Sequence, residues 1–382
     1  MMTLCLFLTY GISLKRWDEL GILERELALY EKLSKRGIQV SIFTYGDKQD
    51  LDYTRRFPGF RIFPAYAHLP KPKNKIGKFF QSLTFAQKFS AFFQEQDLLK
   101  TNQMWGAWVP LSVQSRLNKP LILRAGYEAY LFSKLEKVSR IQQMFTYIVS
   151  RIAYQKADRI ILSSQSAKTF VLKTFPVESS RIDVIPNAVD LSRIPDLSGY
   201  PVQLPHRTII IGRLEEQKNL FNAIAAAATT SIGLDIIGAG SLKEKLEIFA
   251  KEKSADVRFL GTMSHSEMIQ KISQYLFCLL PSYYEGSPKA LLEMMACGRA
   301  VIGARVQGIE EIIQDGETGM LTGTSAEEIA QGMRPLIQSP ELCREMGAKA
   351  RRYAEDHFSL EVLQDREYQL YQPFAKKPVC LV

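Results

Sequence analysis

Two carboxylates stand in the most informative stretch of the sequence, residues 280–298. An apolar run predicts a buried strand that opens this stretch, and Ser287 and Pro288 are typical of a helix N-cap and first helical position. Glu285 would then lie just outside the helix amino end, and Glu293 about 9 Å further along the axis. That spacing disfavours the carboxylate pair of a retaining glycosidase, although it does not exclude an inverting pair.

The amino end of this helix is predicted to bind an anion. The amides of Gly286, Ser287 and Lys289 and the positive end of the helix dipole would lie at the carboxyl end of a parallel strand, where phosphate oxygens fit. Acceptors on either side of such a site suit a nucleotide sugar, which has hydroxyls at both ends and phosphates in the middle. The alternative is that Glu285 is a solvated loop residue and Glu293 a charge on the helix surface.

A second cluster follows another predicted strand and precedes another helix. Gly212 and Arg213 leave the strand, and Lys218 opens the helix, so both cations would reach the carboxyl edge of the same sheet. They could clamp a diphosphate, Arg213 as a planar fork and Lys218 as a point charge. The alternative is a surface ion pair with Glu215 or Glu216, which would contribute little.

Other familiar chemistries leave no pattern in the sequence. Gly238 and Gly240 form a turn that would let a ligand approach the backbone, but no third glycine completes a dinucleotide fingerprint. A Walker loop, a serine-hydrolase elbow and a kinase signature are absent. The four histidines and five cysteines are scattered, so we expect no metal, no cofactor and a reducing, cytoplasmic environment.

The elements that must position these residues alternate between strand and helix along nearly the whole chain. This alternation predicts an α/β protein with two doubly wound, parallel-sheet domains, which suits 382 residues. Strands are predicted at residues 4–9, 39–44, 121–124, 159–163 and 183–186, and at 208–211, 234–237, 257–260, 276–280 and 300–303. Closely spaced prolines predict a linker at 191–206 between domains 1–190 and 207–358, with a final helical segment at 359–382.

Charge is distributed unevenly. The first 200 residues carry 29 Lys and Arg against 17 Asp and Glu, and the rest carries 20 against 23, which gives +12 and −3. The first half is therefore expected to meet an anionic partner, with simple solubility charge as the alternative. No apolar run approaches the roughly 20 residues of a membrane span.

A basic run at residues 71–78 precedes four phenylalanines at near-helical spacing, Phe85, Phe89, Phe92 and Phe93. Such a helix could lie in a bilayer interface and meet a lipid-linked acceptor. The favoured alternative places the phenylalanines in the core and the lysines in water.

Taken together, the motifs of the second half resemble the retaining GT-B glycosyltransferases of family 4. The likeness rests on Gly212-Arg-Leu with Lys218-Asn, Gly238-Ala-Gly, Pro281-Ser with Glu285-Gly-Ser-Pro and Glu293-Met-Met-Ala-Cys-Gly, and Asp315-Gly-Glu-Thr-Gly. It implies two Rossmann-like domains with a cleft between them. It also implies that Arg213 and Lys218 bind the donor diphosphate, Glu293 the ribose, and Glu285 the hydroxyls of the transferred sugar.

The first half is less similar to that family. Many members carry a histidine where this sequence reads Arg124-Ala-Gly-Tyr127-Glu128, so Arg124, Tyr127 and Glu128 are the acceptor-side candidates, with a salt-bridged turn as the alternative. In the mechanism usually proposed for retaining members, the leaving diphosphate takes the acceptor's proton. The resemblance therefore implies catalysis without a metal.

We expect a retaining, metal-independent hexosyltransferase, cytoplasmic or at the inner membrane face, that serves polysaccharide or glycolipid synthesis. Its donor would be a UDP- or GDP-linked sugar, and its acceptor a carbohydrate or a lipid-linked carbohydrate. A nucleotide-sugar epimerase or hydrolase of the same fold and a non-catalytic anion-binding module are the alternatives. Nucleic acid is the least favoured partner, because no stacking aromatics accompany a basic groove.

Overall fold

The computed structural model describes residues 2–375. This part of the chain divides into two compact units. The first contains the chain up to Pro186 together with the segment from Gln364 onward, and the second is Asn187–Leu363. Each unit is built on a parallel sheet with helices, which confirms the predicted fold class.

In the first unit the strand order is β3-β2-β1-β4-β5-β6-β7. The strands are β1 (Met2–Phe7), β2 (Ile38–Thr44), β3 (Phe60–Pro64), β4 (Leu98–Thr101), β5 (Leu121–Ala125), β6 (Arg159–Leu162) and β7 (Ile182–Val184). The helices are α1 (Leu14–Glu19), α2 (Leu23–Lys35), α3 (Tyr53–Arg56), α4 (Ala65–His68), α5 (Lys75–Ser82), α6 (Phe85–Lys88), α7 (Ser90–Gln94), α8 (Trp108–Leu117), α9 (Ala129–Leu135), α10 (Arg140–Lys156) and α11 (Gln165–Thr174).

In the second unit the strand order is β10-β9-β8-β11-β12-β13. The strands are β8 (Arg207–Ile211), β9 (Gly233–Ile237), β10 (Val257–Gly261), β11 (Phe277–Leu280), β12 (Ala300–Ala304) and β13 (Met320–Thr322). The helices are α12 (Leu220–Thr230), α13 (Lys243–Glu252), α14 (His265–Ile272), α15 (Lys289–Ala296), α16 (Ala326–Gln338), α17 (Pro340–Phe358) and α18 (Leu360–Tyr371).

The continuous apolar runs of the central strands arise because both faces of the sheet are covered. Ile209 and Ile211 of β8 contribute to one core cluster of the second unit, and the intervening Ile210 contributes to another. Alternate residues of β11 divide between the same two clusters, and Leu279 lies opposite Ile210 in the parallel register. This is the burial pattern of a parallel sheet between two helical layers.

The structure corrects the predicted domain boundary. The chain leaves the first unit after Pro186, and residues 191–206 belong to the second unit, where Ile194 and Leu197 are buried in the core. Apart from a 3₁₀ turn at Leu191–Arg193, the backbone there is irregular, but irregular backbone can still pack. Strands β3, β4 and β13 were not predicted.

The last helix of the described chain, α18, begins in the second unit and continues in the first. Its buried Glu367 forms ion pairs with Lys100 of β4 and with Arg124 of β5. Burial lowers the pKa of Lys100 to about 8. Burial would raise the pKa of Glu367, but the Lys100 and Arg124 charges outweigh it and hold that pKa below its ordinary value. Residues 376–382 of the predicted final segment, with Cys380, lie outside the described residues.

The basic run continues into the short helix α5, and the short helices α6 and α7 follow. Phe85, Phe89, Phe92 and Phe93 are buried in the core of the first unit, which confirms the favoured alternative for these residues. Among residues 2–375, none of the helices is both long enough and apolar enough to cross a membrane.

Candidate functional site

The candidate site lies where the strand order of the second sheet reverses, between β8 and β11. The loops that follow these neighbouring strands are held together by backbone and side-chain hydrogen bonds. The Tyr283 amide donates to the Gln217 carbonyl (2.9 Å), and Asn219 Nδ2 donates to the Pro281 carbonyl (2.9 Å). Such a reversal, at the carboxyl ends of parallel strands, is where doubly wound sheets bind ligands.

Lys218 and Glu285 form an ion pair across these two loops. Their side chains are only 13% and 9% exposed, and the Ser282 hydroxyl also donates to Glu285 Oε1 (2.7 Å). Lys218 therefore does not make the predicted alternative pair with Glu215 or Glu216. An ammonium has three donors, so the pair with Glu285 leaves Lys218 able to donate to a phosphate oxygen as well.

Gln217 connects the remaining members of the cluster and was not predicted from the sequence. Its Oε1 accepts from Arg213 Nη2 (3.0 Å), and its Nε2 donates to the Tyr284 carbonyl (2.9 Å) and, at 3.5 Å, to Glu285 Oε2. Arg213 itself is exposed, whereas Gln217 is buried. The predicted catalytic residues Arg213, Lys218 and Glu285 thus form one hydrogen-bonded network.

The glycines near this network allow the β8 and β9 loops to touch. Gly238 has φ +146°, and a side chain there would place its Cβ 1.9 Å from the Gly212 carbonyl oxygen. At Gly240 a Cβ would lie 2.4 Å from the Leu214 carbonyl oxygen. These glycines are therefore required because the loop after β9 packs against the loop after β8. Gly212 in turn lies against the aliphatic part of Lys218.

The amino end of α15 differs in detail from the prediction. The helix begins at Lys289 with Pro288 as the N-cap, so the predicted assignment of Ser287 as N-cap is wrong. The Ser287 hydroxyl instead accepts from the Asn187 amide (3.1 Å), and Asn187 Nδ2 donates to the Ser287 carbonyl (2.6 Å). The Ser287 hydroxyl, which was predicted to cap the helix, therefore binds Asn187, a residue distant in sequence.

The loop between Glu285 and this helix is also packed from the other side. Gly308 has φ +81°, and a Cβ there would lie 2.3 Å from the Gly286 carbonyl oxygen. The loop that holds Glu285 and Gly286 is consequently fixed between the backbone at Gly308 and the contact at Asn187. A fixed loop keeps donors in place without reorganisation when a charged ligand arrives.

Glu293 is buried within α15, not a charge on the helix surface, because its side chain is 3% exposed. His265 Nε2 lies 3.0 Å from Glu293 Oε1. His265 is the first residue of α14, after the N-cap Ser264, which forms a capping box with Glu267. His265 was not predicted, because only its position after β10 could have indicated a role. Its ring positions Glu293, the residue predicted to bind the ribose.

The acceptor-side candidates all have partners within the first unit. Arg124 pairs with Glu367 (2.9 Å), and the Tyr127 hydroxyl donates to Glu136. Glu128 is buried as the N-cap of α9, where it accepts from the Leu131 amide (2.5 Å). Burial raises the pKa of Glu128 above its ordinary value, although hydrogen bonds from backbone donors oppose the rise. These contacts give each residue a structural role.

The second-unit site combines two cations, a helix amino end and carboxylates at its margins. This combination can bind a diphosphate and accept hydrogen bonds from hydroxyls on either side of it. Within residues 2–375, His, Cys, Asp and Glu side chains do not converge in groups of three or more that could hold a metal ion.

Two family models match separate parts of the chain and together cover most of it. The model described as Glycosyltransferase Family 4 matches residues 27–193, and the model described as Glycosyl transferases group 1 matches residues 204–353. An uncharacterized glycosyltransferase of Methanocaldococcus jannaschii is 23% identical over 323 residues, which cover 80% of each chain.

Solved structures resemble the whole described fold. Sucrose-phosphate synthase from Thermosynechococcus elongatus superposes with a TM-score of 0.81 at 20% identity and covers 98% of this chain and 99% of its own. HepE from Anabaena, solved in complex with UDP-glucose, gives a TM-score of 0.76 at 17% identity, with 98% and 100% coverage. At these identities the likeness concerns the fold.

Proposed function

This chain belongs to the GT-B glycosyltransferases of family 4, and from that premise we propose that it is a retaining hexosyltransferase with a nucleoside-diphosphate sugar as donor. The observation that carries the proposal is the network of Arg213, Gln217, Lys218 and Glu285 between β8 and β11. HepE, whose fold is similar, was solved with UDP-glucose, and this supports a nucleotide-sugar ligand.

In the proposed complex the diphosphate lies against Lys218, Arg213 and the amino end of α15. Cleavage of the bond between sugar and phosphate places negative charge on the departing diphosphate. Fixed cations and helix amides stabilise that charge most strongly where it develops, which lowers the barrier to transfer. Glu285 accepts hydrogen bonds from the transferred sugar, and Glu293 from the ribose.

The network itself supplies the positive charge that a metal provides in other transferases. Two side-chain cations and a helix dipole face the ligand, and the leaving diphosphate takes the proton of the acceptor hydroxyl. We therefore infer transfer without a metal and with retention of configuration. The acceptor in this proposal is a carbohydrate or a lipid-linked carbohydrate.

A donor panel tests the reaction. UDP-, GDP- and ADP-linked hexoses would be incubated with acceptors and EDTA, and the anomeric configuration of any product would be read by NMR. We expect the configuration of the donor to be retained in the presence of EDTA. Free sugar or an epimer formed equally well without any acceptor would contradict the proposal in favour of a hydrolase or an epimerase.

Binding tests the site separately. Glu293→Ala is expected to abolish calorimetric binding of the cognate nucleoside diphosphate, because it removes the buried carboxylate assigned to the ribose. Glu244→Ala on exposed α13 is the matched control and should bind as the wild type does. Thermal denaturation would verify that both variants fold. Unchanged binding by a folded Glu293→Ala variant would refute the assignment.

A further inference from the structure

Helix α10 exposes its apolar side chains to solvent. Ile141, Met144, Ile148 and Ile152 recur at helical spacing on one face, and Ile141 is 84% exposed. The opposite, buried face carries Thr146, Ser150, Ala153 and Tyr154. A helix that only covers the core shows the reverse distribution.

Helix α5 adds to the same surface. Its Ile76 and Phe80 are 69% and 62% exposed. Phe79, next to Phe80, contacts Phe145 of α10 with ring centroids 6.1 Å apart. We refer to the surface formed by Ile76, Phe80, Ile141, Met144, Ile148 and Ile152 as the α5–α10 face. Exposed apolar side chains that adjoin one another on two contacting helices are typical of an interaction site.

The two segments that form the α5–α10 face carry only basic charges. Residues 70–94 contain five lysines and no Asp or Glu, and residues 140–156 contain two arginines and one lysine and no Asp or Glu. Lys71, Lys73 and Lys75 are exposed beside α5. Exposed apolar side chains with neighbouring cations are the composition that binds anionic lipid headgroups, with the apolar groups inserted below them.

We propose that the α5–α10 face docks this protein on the surface of a bilayer that contains anionic lipids. The basic residues beside the α5–α10 face favour an anionic bilayer over a second copy of the chain as the partner of this face. A two-fold interface through the face would place the same basic rim against itself, with no acidic residues from either segment to compensate. A bilayer with anionic headgroups matches both the apolar centre and the basic rim. The proposal does not depend on the nucleotide-sugar site.

Vesicle flotation with the full chain tests the proposal. Wild-type protein is expected to float with phosphatidylglycerol-containing vesicles and to remain unbound with pure phosphatidylcholine. Ile141→Ser/Met144→Ser/Ile148→Ser should weaken binding at least about tenfold, because it removes the apolar groups that would insert. Ile248→Ser, at an exposed position of α13, is the matched control and should float as the wild type does.

The basic rim is tested with Lys71→Gln/Lys73→Gln/Lys75→Gln. Each lysine near an anionic surface contributes about a fivefold factor in affinity, and this contribution should vanish at 1 M salt. The matched control replaces three exposed lysines of α13, Lys243, Lys245 and Lys251, by Gln. Circular dichroism would establish that each variant retains the fold.

Three outcomes would overturn the proposal. The first is wild-type protein that stays unbound with anionic vesicles, and the second is a serine variant that floats as well as the wild type does. The third is a wild-type dimer in sedimentation velocity that the serine variant converts to monomer while neither protein binds vesicles. That result would assign the α5–α10 face to a second copy of the chain.

Discussion

The ion pair between Lys218 and Glu285 predicts opposite effects for the removal of its two members on nucleoside-diphosphate binding. Lys218→Met removes a donor to phosphate and leaves the Glu285 charge facing the ligand. Glu285→Gln keeps the size of the side chain, removes a negative charge and releases the Lys218 ammonium. The first change should weaken binding of the cognate nucleoside diphosphate, and the second should strengthen it slightly while it reduces sugar transfer.

The magnitudes follow from the burial of the pair. With side chains 13% and 9% exposed, solvent screening is incomplete. A charge-assisted hydrogen bond contributes about 1.5 to 3 kcal/mol, so Lys218→Met should raise the Kd by about 10- to 150-fold. The Lys218 ammonium offsets most of the repulsion between Glu285 and a phosphate bound beside it. A residual repulsion of about 1 kcal/mol means that Glu285→Gln should lower the Kd by about fivefold.

Isothermal titration of the two single variants and the double variant with the cognate nucleoside diphosphate measures these effects. The double variant should lie between the single variants, since it loses both the attraction and the repulsion. Lys245→Met, exposed on α13, is the control for a lysine lost elsewhere. A Glu285→Gln variant that weakens binding as much as Lys218→Met does would refute the reasoning, because Glu285 would then contact the phosphates favourably.

Two further predictions concern stability. Gly238→Ala should lower the free energy of unfolding by more than about 2 kcal/mol, because the new Cβ would overlap a backbone oxygen and the backbone φ is +146°. The measurement is a denaturant titration. The control is Gly199→Ala, which has open space around it and should have little effect in the same titration. Glu367→Gln should cost about 3 kcal/mol at pH 7, because it leaves two cations without their buried anion, and Glu361→Gln on the exposed part of α18 is the control. The pKa of Glu367 in the folded state lies below its ordinary value of about 4.3, so the contribution of the carboxylate is fully present above about pH 4.3 and is lost as the pH falls through the lower folded-state pKa. A difference in the free energy of unfolding between wild type and variant that grows as the pH falls below about 4.3 would contradict this.

Apolar runs in the sequence predicted most of the strands, including β7 with only three residues. The prediction failed for β4, although that strand lies at the centre of the first sheet, because it ends in Lys100 and Thr101. The buried charge of Lys100 is compensated by Glu367, which is 267 residues away in the chain. A local pattern cannot reveal a charge that is compensated at such a distance.

The site shows the same division between local and distant information. Spacing placed Arg213, Lys218 and Glu285 on two loops of one sheet edge, because parallel strands end at the same edge. It could not predict that Gln217 would contact Glu285 or that His265 would pair with Glu293, since both contacts depend on the strand order β10-β9-β8-β11. The prediction of Ser287 as the N-cap of α15 was wrong for a related reason, because the Ser287 hydroxyl accepts from Asn187, which is distant in sequence.

The pairing of Lys218 with Glu285 affects how the site discriminates between the proposed donor and the nucleoside diphosphate product. A nucleoside diphosphate alone offers phosphates to Lys218 but brings negative charge toward Glu285, and it gives that carboxylate no hydrogen-bond donor in return. A complete nucleotide sugar also offers hydroxyl donors, which compensate Glu285 when the ammonium turns to phosphate. The pair would therefore favour the donor over the nucleoside diphosphate that remains after transfer, and in this way a buried carboxylate beside a phosphate site would aid product release.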